Sequence, residues 1–269
     1  MNIHLLTIDP QVDFCSPPTS NIPGALYVPG AEKDIERLSQ MVDRLGNKIS
    51  KITVTLDSHR TIDVAHSVFW IDSEGNHPAP FTIISLDDVQ NGVWRCSMPS
   101  FQSRMLDYVK ALHDNKRYPL CIWPTHCVIG TFGHAIMPEF SKAICKWEEQ
   151  NKKLVNYVTK GSNPFTEHYS AVKADVEDPQ DETTKVNGKF ISAIADADKI
   201  LITGQALSHC VSNTINDIYE ELGEEVVKKF VLLKDTSSNV PGFEQYGNDF
   251  IDKFSKLGME IVNSDEFLK

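Results

Sequence analysis

Short apolar, β-branched runs alternate with amphipathic stretches along this chain, and that rhythm constrains the fold more than any other feature. Residues 3–8 read as a strand, as do 49–56, 120–123, 154–158, 199–203, 230–233 and 259–262. Between them, apolar residues recur at helical spacing. Ile35, Leu38, Val42 and Leu45 mark a helix over 31–45 that Gly46 ends, and further helices are expected over 105–112, 136–147, 190–197, 211–222 and 243–257. Gly223 and Gly258 are the expected stops of the last two. Strand–helix alternation predicts an α/β fold with a mostly parallel sheet covered on both faces.

Two segments break the rhythm. Residues 67–104 are rich in Pro, Gly, Asn and Asp, and 171–189 hold five acids between Asp175 and Glu182. Both read as long surface excursions. Neither resembles a linker between separate cores, so one domain over 1–269 is expected.

Charge narrows the partners. The chain has 26 basic and 37 acidic side chains, a formal charge of −11. Nucleic-acid backbones and anionic membrane surfaces are recognised by Lys and Arg, so neither is an expected partner. No run approaches the ~20 apolar residues that span a bilayer, and Asp9 interrupts the region where an export signal would continue. Six cysteines without C-x-x-C spacing suggest a reducing, cytoplasmic setting.

In open parallel sheets ligands bind beyond the carboxyl ends of the strands. The polar residues expected there are Asp9, Gln11 and Asp13; Asp57, His59 and His66; His126; Lys160; the turn 204–209 with Cys210; and Asp235. One rim thus collects carboxylates, imidazoles, an amine and a thiol. Cys210 stands between a strand and a helix, where the helix N-terminus favours a thiolate and free backbone N–H groups can stabilise an oxyanion. Asp9 is better placed than the adjacent His209 to act as its base, and Lys160 can stabilise charge between them. Taken singly, each has a plainer role: a buried inert thiol, a turn-capping carboxylate, an exposed amine. Asp57 and His59 form a D-x-H pair whose side chains can reach one ion, with His126 as a third ligand and His66 as a further candidate. The phosphate loop, H-E-x-x-H, EF-hand, G-x-S-x-G and G-x-G-x-x-G patterns are missing.

The segment I-D-P-Q-V-D-F (8–14) resembles the D-x-Q-x-D-F motif of the isochorismatase-like cysteine hydrolases. D-S-H (57–59) with W-P-T-H-C-V-I-G-T (123–131) resembles the metal and pocket signature of the nicotinamidase branch. V-T-K-G (158–161) and A-L-S-H-C-V (206–211) resemble its lysine and nucleophile segments. The resemblance implies a three-layer α/β/α sandwich and a catalytic triad of Asp9, Lys160 and Cys210. It implies one divalent metal, zinc first and iron or manganese next, on Asp57, His59 and His126, with His66 as an extra ligand. Phe14 and Trp123 would sandwich an aromatic ring, and His209 would join them in the pocket. Ala206 and Cys210 would supply oxyanion N–H groups, with a cis peptide at Gln205–Ala206. The implied reaction is hydrolysis of nicotinamide to nicotinate and ammonia through a Cys210 thioester, a step of pyridine-nucleotide salvage. Alternatives are another small amide or carbamoyl substrate, a metallohydrolase that uses water as its nucleophile, and a non-catalytic relative. Self-association is left open.

Overall fold

A computed structural model describes residues 1–269. The elements, in chain order, are β1 (Ile3–Ile8), α1 (Val12–Cys15), α2 (Ala31–Leu45), β2 (Lys51–Asp57), β3 (Trp70–Ile71), β4 (Ile83–Ile84), α3 (Leu86–Gln90), β5 (Arg95–Cys96), α4 (Gln102–Asp114), β6 (Leu120–Cys121), α5 (Pro138–Asn151) and β7 (Asn156–Lys160). There follow α6 (Gly188–Ala195), β8 (Lys199–Gly204), α7 (Ser212–Leu222), β9 (Phe230–Leu233), α8 (Glu244–Lys256) and β10 (Glu260–Val262).

Six strands form one parallel sheet in the order β10-β9-β8-β1-β2-β7. β1 and β9 are buried at every residue, His4 and Thr7 of β1 included, as inner strands are when helices cover both faces. α2 packs on α5, α6 on α7 and α7 on α8. The chain runs outward from β1 through β2 to β7, then returns to β8 on the other side of β1. That reversal opens a crevice at the carboxyl ends of the central strands. No helix is long and apolar enough to cross a membrane.

The segment expected as a strand over 120–123 is not part of this sheet. Only Leu120–Cys121 is extended, and it pairs antiparallel with β4. Leu120 and Ile122 belong to a second apolar cluster, which draws them away from the main core. The same cluster corrects the reading of 67–104 as a surface excursion. Phe69 and Trp70 are fully buried there with Val89, Cys96 and residues of α4. The two-stranded antiparallel sheets β3–β5 and β4–β6 and the box-capped α3 frame this cluster. The acidic stretch 171–189 is likewise part interior: Ala171, Val172, Ala174 and Asp175 are buried. All six cysteines are free thiols.

Candidate active site

Strand register builds the floor of the crevice. Asp57 and Lys160 are paired residues at the ends of β2 and β7, and Ile8 pairs with Gly204 in β8. Asp9 follows Ile8 directly, with a positive φ of 45°; its N–H donates to Thr55 Oγ1 at 3.0 Å, and that hydroxyl donates back to the Asp9 carboxylate. Lys160 Nζ lies 3.0 Å from Asp9 Oδ2, 3.0 Å from Asp57 Oδ1 and 3.6 Å from Cys210 Sγ. It also donates to the His168 carbonyl at 3.0 Å. The glycine after it is required: a Cβ on Gly161 would sit 2.8 Å from Asp57 Oδ1.

Burial sets the protonation states. It works against the Lys160 ammonium, but Asp57 and Asp9 outweigh it and hold the amine well above the usual lysine value. Burial also raises the Asp9 carboxyl, with Lys160 pulling it back, so Asp9 is a stronger base than an ordinary aspartate. The Cys210 thiol is pushed well up by burial, against the pull of Lys160. A thiol shifted up beside a carboxyl shifted up is an arrangement able to pass a proton between them.

The nucleophile turn leaves the sheet at Gly204, whose φ is 117° and where a Cβ would meet Ile8 O at 2.0 Å. The Gln205–Ala206 peptide is cis. Leu207–Val211 form one wide helical turn ahead of α7, so Cys210 stands in the turn rather than at the first residue of the helix. The Ala206 carbonyl accepts from His209 and Val211 N–H, whereas Ala206 N–H has no acceptor within the chain. His209 is held at about 3 by burial and so is neutral. Its ring packs edge-on against Trp123 and Phe243, at 5.2 and 4.9 Å between centroids, as a wall of the pocket.

Asp57, His59 and His126 form a second group whose candidate ligand atoms lie within 4.8 Å of one another. His59 Nε2 is 3.1 Å and His126 Nε2 3.5 Å from Asp57 Oδ2. The rings are set from behind. His59 Nδ1 faces Asp63 Oδ2 at 3.0 Å, and His126 Nδ1 faces the Pro124 carbonyl at 2.9 Å. An Nδ1–H donated to those oxygens leaves both Nε2 lone pairs facing the carboxylate, the donor set and outer support of a divalent metal site. Asp57 and Asp63 outweigh burial at His59 and hold its ring well above the usual histidine value, a sign that the spot draws positive charge. His66 stands outside this group: its Nε2 is 3.4 Å from the His126 backbone N, and its Nδ1 lies against the carbonyls of Arg60 and Thr61. His126 arrives on a loop, which pairs with His59 through Cys127 O and Ile129 N.

The motif at 9–14 holds both groups together. Gln11 clamps the Asp57 backbone, donating Nε2 to its carbonyl and accepting its N–H. Asp13 accepts Cys127 N–H beside His126.

Phe14, Trp123, Ala206, His209, Cys210, Asp57 and His126 line one pocket together with Leu26, Val240, Glu167 and Tyr169. Its lining is mostly apolar and aromatic with a few convergent polar groups, as in sites for small organic molecules. Sequence reasoning missed the last four. Glu167 is 4% exposed; its Oε1 accepts His168 N–H, its Oε2 has no partner, and burial pushes it up to about 8. Tyr169 Oη accepts from Trp123 Nε1 at 3.1 Å. The available signal was the aromatic run after Lys160-Gly161, which lacks strand or helix periodicity.

No protein-family model matches the sequence, and no curated protein resembles it closely enough to register. Solved structures do match. The yeast nicotinamidase Pnc1p bound to the inhibitor nicotinaldehyde is 18% identical with a TM-score of 0.66, over 97% of this chain and 99% of that one. A Pyrococcus horikoshii pyrazinamidase in complex with zinc is 18% identical with a TM-score of 0.56, over 98% and 99%. An isochorismatase-like hydrolase from Alkaliphilus metalliredigens is 15% identical with a TM-score of 0.55, over 100% and 98%. The chain therefore has the fold of the isochorismatase-like hydrolases. Within that fold, nicotinamidases and pyrazinamidases are among the structures it matches.

Proposed function

We propose that this protein is a metal-containing cysteine amidohydrolase that converts nicotinamide and water to nicotinate and ammonia, with residues 1–269 acting as one hydrolase domain. The observation that carries the reading is the chain of contacts Asp9–Lys160–Cys210, at 3.0 and 3.6 Å, opening into a small aromatic pocket. In this reading Asp9 takes the Cys210 proton and the thiolate attacks the amide carbon. The carbonyl oxygen, now negative, accepts from Ala206 and Cys210 N–H, and Lys160 stabilises the charged residues. Asp9 returns the proton to the departing nitrogen, which leaves as ammonia. Asp9 next deprotonates water, which cleaves the thioester; the acid departs and the proton returns to Cys210. Phe14, Trp123 and His209 hold the ring.

Asp57, His59 and His126 suit a divalent metal, with zinc first and iron or manganese accepted by the same donors. When bound, such an ion would orient and polarise a heteroaromatic ring nitrogen. Nicotinaldehyde, the aldehyde of the same ring, should add to Cys210 as a thiohemiacetal.

An ammonia-release assay across an amide panel tests the substrate. Turnover of nicotinamide and pyrazinamide above aliphatic amides is expected; activity confined to another amide or a carbamoyl compound would replace the substrate and leave the cysteine chemistry standing. Chelation should lower turnover while the chain stays folded. If turnover needs the metal but not Cys210, water is the nucleophile and the thioester is wrong.

A further inference from the structure

The buried stripe of α2 carries one charged residue. Asp34 is 3% exposed and shares its face with Ala31, Ile35 and Leu38. A carboxylate there is costly unless it is fully hydrogen-bonded, and Asp34 accepts from three donors. Arg37 Nη2 reaches Oδ1 at 2.7 Å. Gln205 Nε2 at 2.8 Å and Ser238 Oγ at 2.6 Å both reach Oδ2. Gln205 and Ser238 are joined in turn, because Ser238 N–H donates to Gln205 Oε1 at 3.2 Å. The Ser238 carbonyl accepts Leu207 N–H at 2.8 Å. The ring of contacts grips residues 205 and 207, one on each side of Ala206. Arg37 ties it to the segment after β9, donating Nε to the Asp235 carbonyl at 2.5 Å.

We infer that Asp34 is a positioning residue for the nucleophile turn: through Gln205 and Ser238 it aims the Ala206 N–H and seats Cys210. It touches no reacting atom. The inference rests on reading Ala206 and Cys210 as the oxyanion donors. Such a donor acts only when aimed at the place where charge develops, so loosening the grip should slow chemistry and leave ring binding intact.

The test uses Asp34→Asn, Ser238→Ala and the double variant in the full chain. Ammonia release from nicotinamide, affinity for nicotinaldehyde and unfolding midpoint are measured for each. Asp34→Asn should lower kcat about 10–100-fold, part of the 10²–10³ lost when a donor is removed outright. Ser238→Ala should lower kcat about 3–10-fold, with KM within about threefold in both. Nicotinaldehyde affinity should fall by the same factor as kcat, since its adduct oxygen needs the same donors. The double variant should be no worse than Asp34→Asn within about twofold, because both changes cut one ring of contacts.

Unchanged kcat, or a loss that follows KM or the unfolded fraction, overturns the inference. If Asp34→Asn does not fold, Ser238→Ala decides on the same criteria. If the wild type releases no ammonia from nicotinamide, the proposed substrate fails by itself. Equal nicotinaldehyde affinity in wild type and Ser238→Ala would then overturn this inference, and no adduct in the wild type would overturn it together with the oxyanion reading.

Discussion

Two sides of the pocket are held by different means. On the floor, Asp9, Asp57, Lys160 and the Gly204–Cys210 turn extend from adjacent parallel strands, and ladder register fixes their spacing. The covering segment has no ladder. Glu167, His168 and Tyr169 are held by scattered contacts: Glu167 N–H to Tyr108 Oη, His168 O to Lys160, Trp123 Nε1 to Tyr169 Oη. Beneath it lies the second apolar cluster, where Phe165 packs on Phe69 and Phe101. The excursion 67–104 is thus the support of the cover. The contrast teaches a division of labour. The buried charges Asp9, Asp57 and Lys160 sit at strand ends, whereas Glu167 and Tyr169 reach the pocket from an irregular loop.

Breaking the floor should cost most. Asp9→Asn or Lys160→Met should each lower kcat/KM for ammonia release about 10³–10⁴-fold, since in the proposed mechanism Asp9 carries the proton and Lys160 stabilises the charged residues. A loss under tenfold would separate the strand-end contacts from catalysis. Breaking the support should act on stability instead. Trp70 is fully buried and donates Nε1 to Val64 O, so Trp70→Ala should cost about 3–5 kcal/mol in denaturant unfolding. The kcat of the folded fraction should stay within threefold of wild type; a kcat loss as large as that of Asp9→Asn would erase the proposed division.

Breaking the wall should be milder. Glu167→Leu should raise KM about tenfold with kcat within threefold, read from initial rates. A pure kcat loss would move Glu167 to the chemistry.

The smallest effect is in pH dependence. Burial, opposed by Arg117, pushes Asp175 up to about 6, above its usual 3.8. The folded state then holds a proton that the unfolded chain has lost between those values, so stability falls as pH rises through this window. Above it, the ionised side chain costs on the order of 3 kcal/mol. Asp175→Asn does not titrate. The stability gap between variant and wild type should therefore shift toward the wild type as pH falls from 7 to 5, followed by urea unfolding. A flat gap would remove this assignment.

The same contrast explains what was legible in the sequence. Floor residues follow apolar, β-branched runs, so Asp9, Asp57, Lys160 and Cys210 could be located as strand-end groups before any coordinates. The strands ran slightly further than expected: Asp57 and Lys160 are their last residues rather than the residues beyond them. His126 was reached for a different reason than supposed, since the strand before it belongs to a two-stranded side sheet and a loop delivers it. The cover was illegible because its residues obey no period. Asp175 read as a surface acid and Glu167 carried no signal at all; only tertiary packing buries them. Asp34 was hidden for a related reason: an acid in the first turn of a helix is ordinary, and nothing local reveals the donors from residues 205 and 238.

The central claim is that Cys210 is the nucleophile of an amide hydrolysis. The direct measurement is ammonia release from nicotinamide by the metal-loaded wild type beside Cys210→Ala at equal folded concentration. The account predicts steady release by the wild type and a loss of about 10⁴-fold or more in the variant. Equal rates in the two proteins would contradict it.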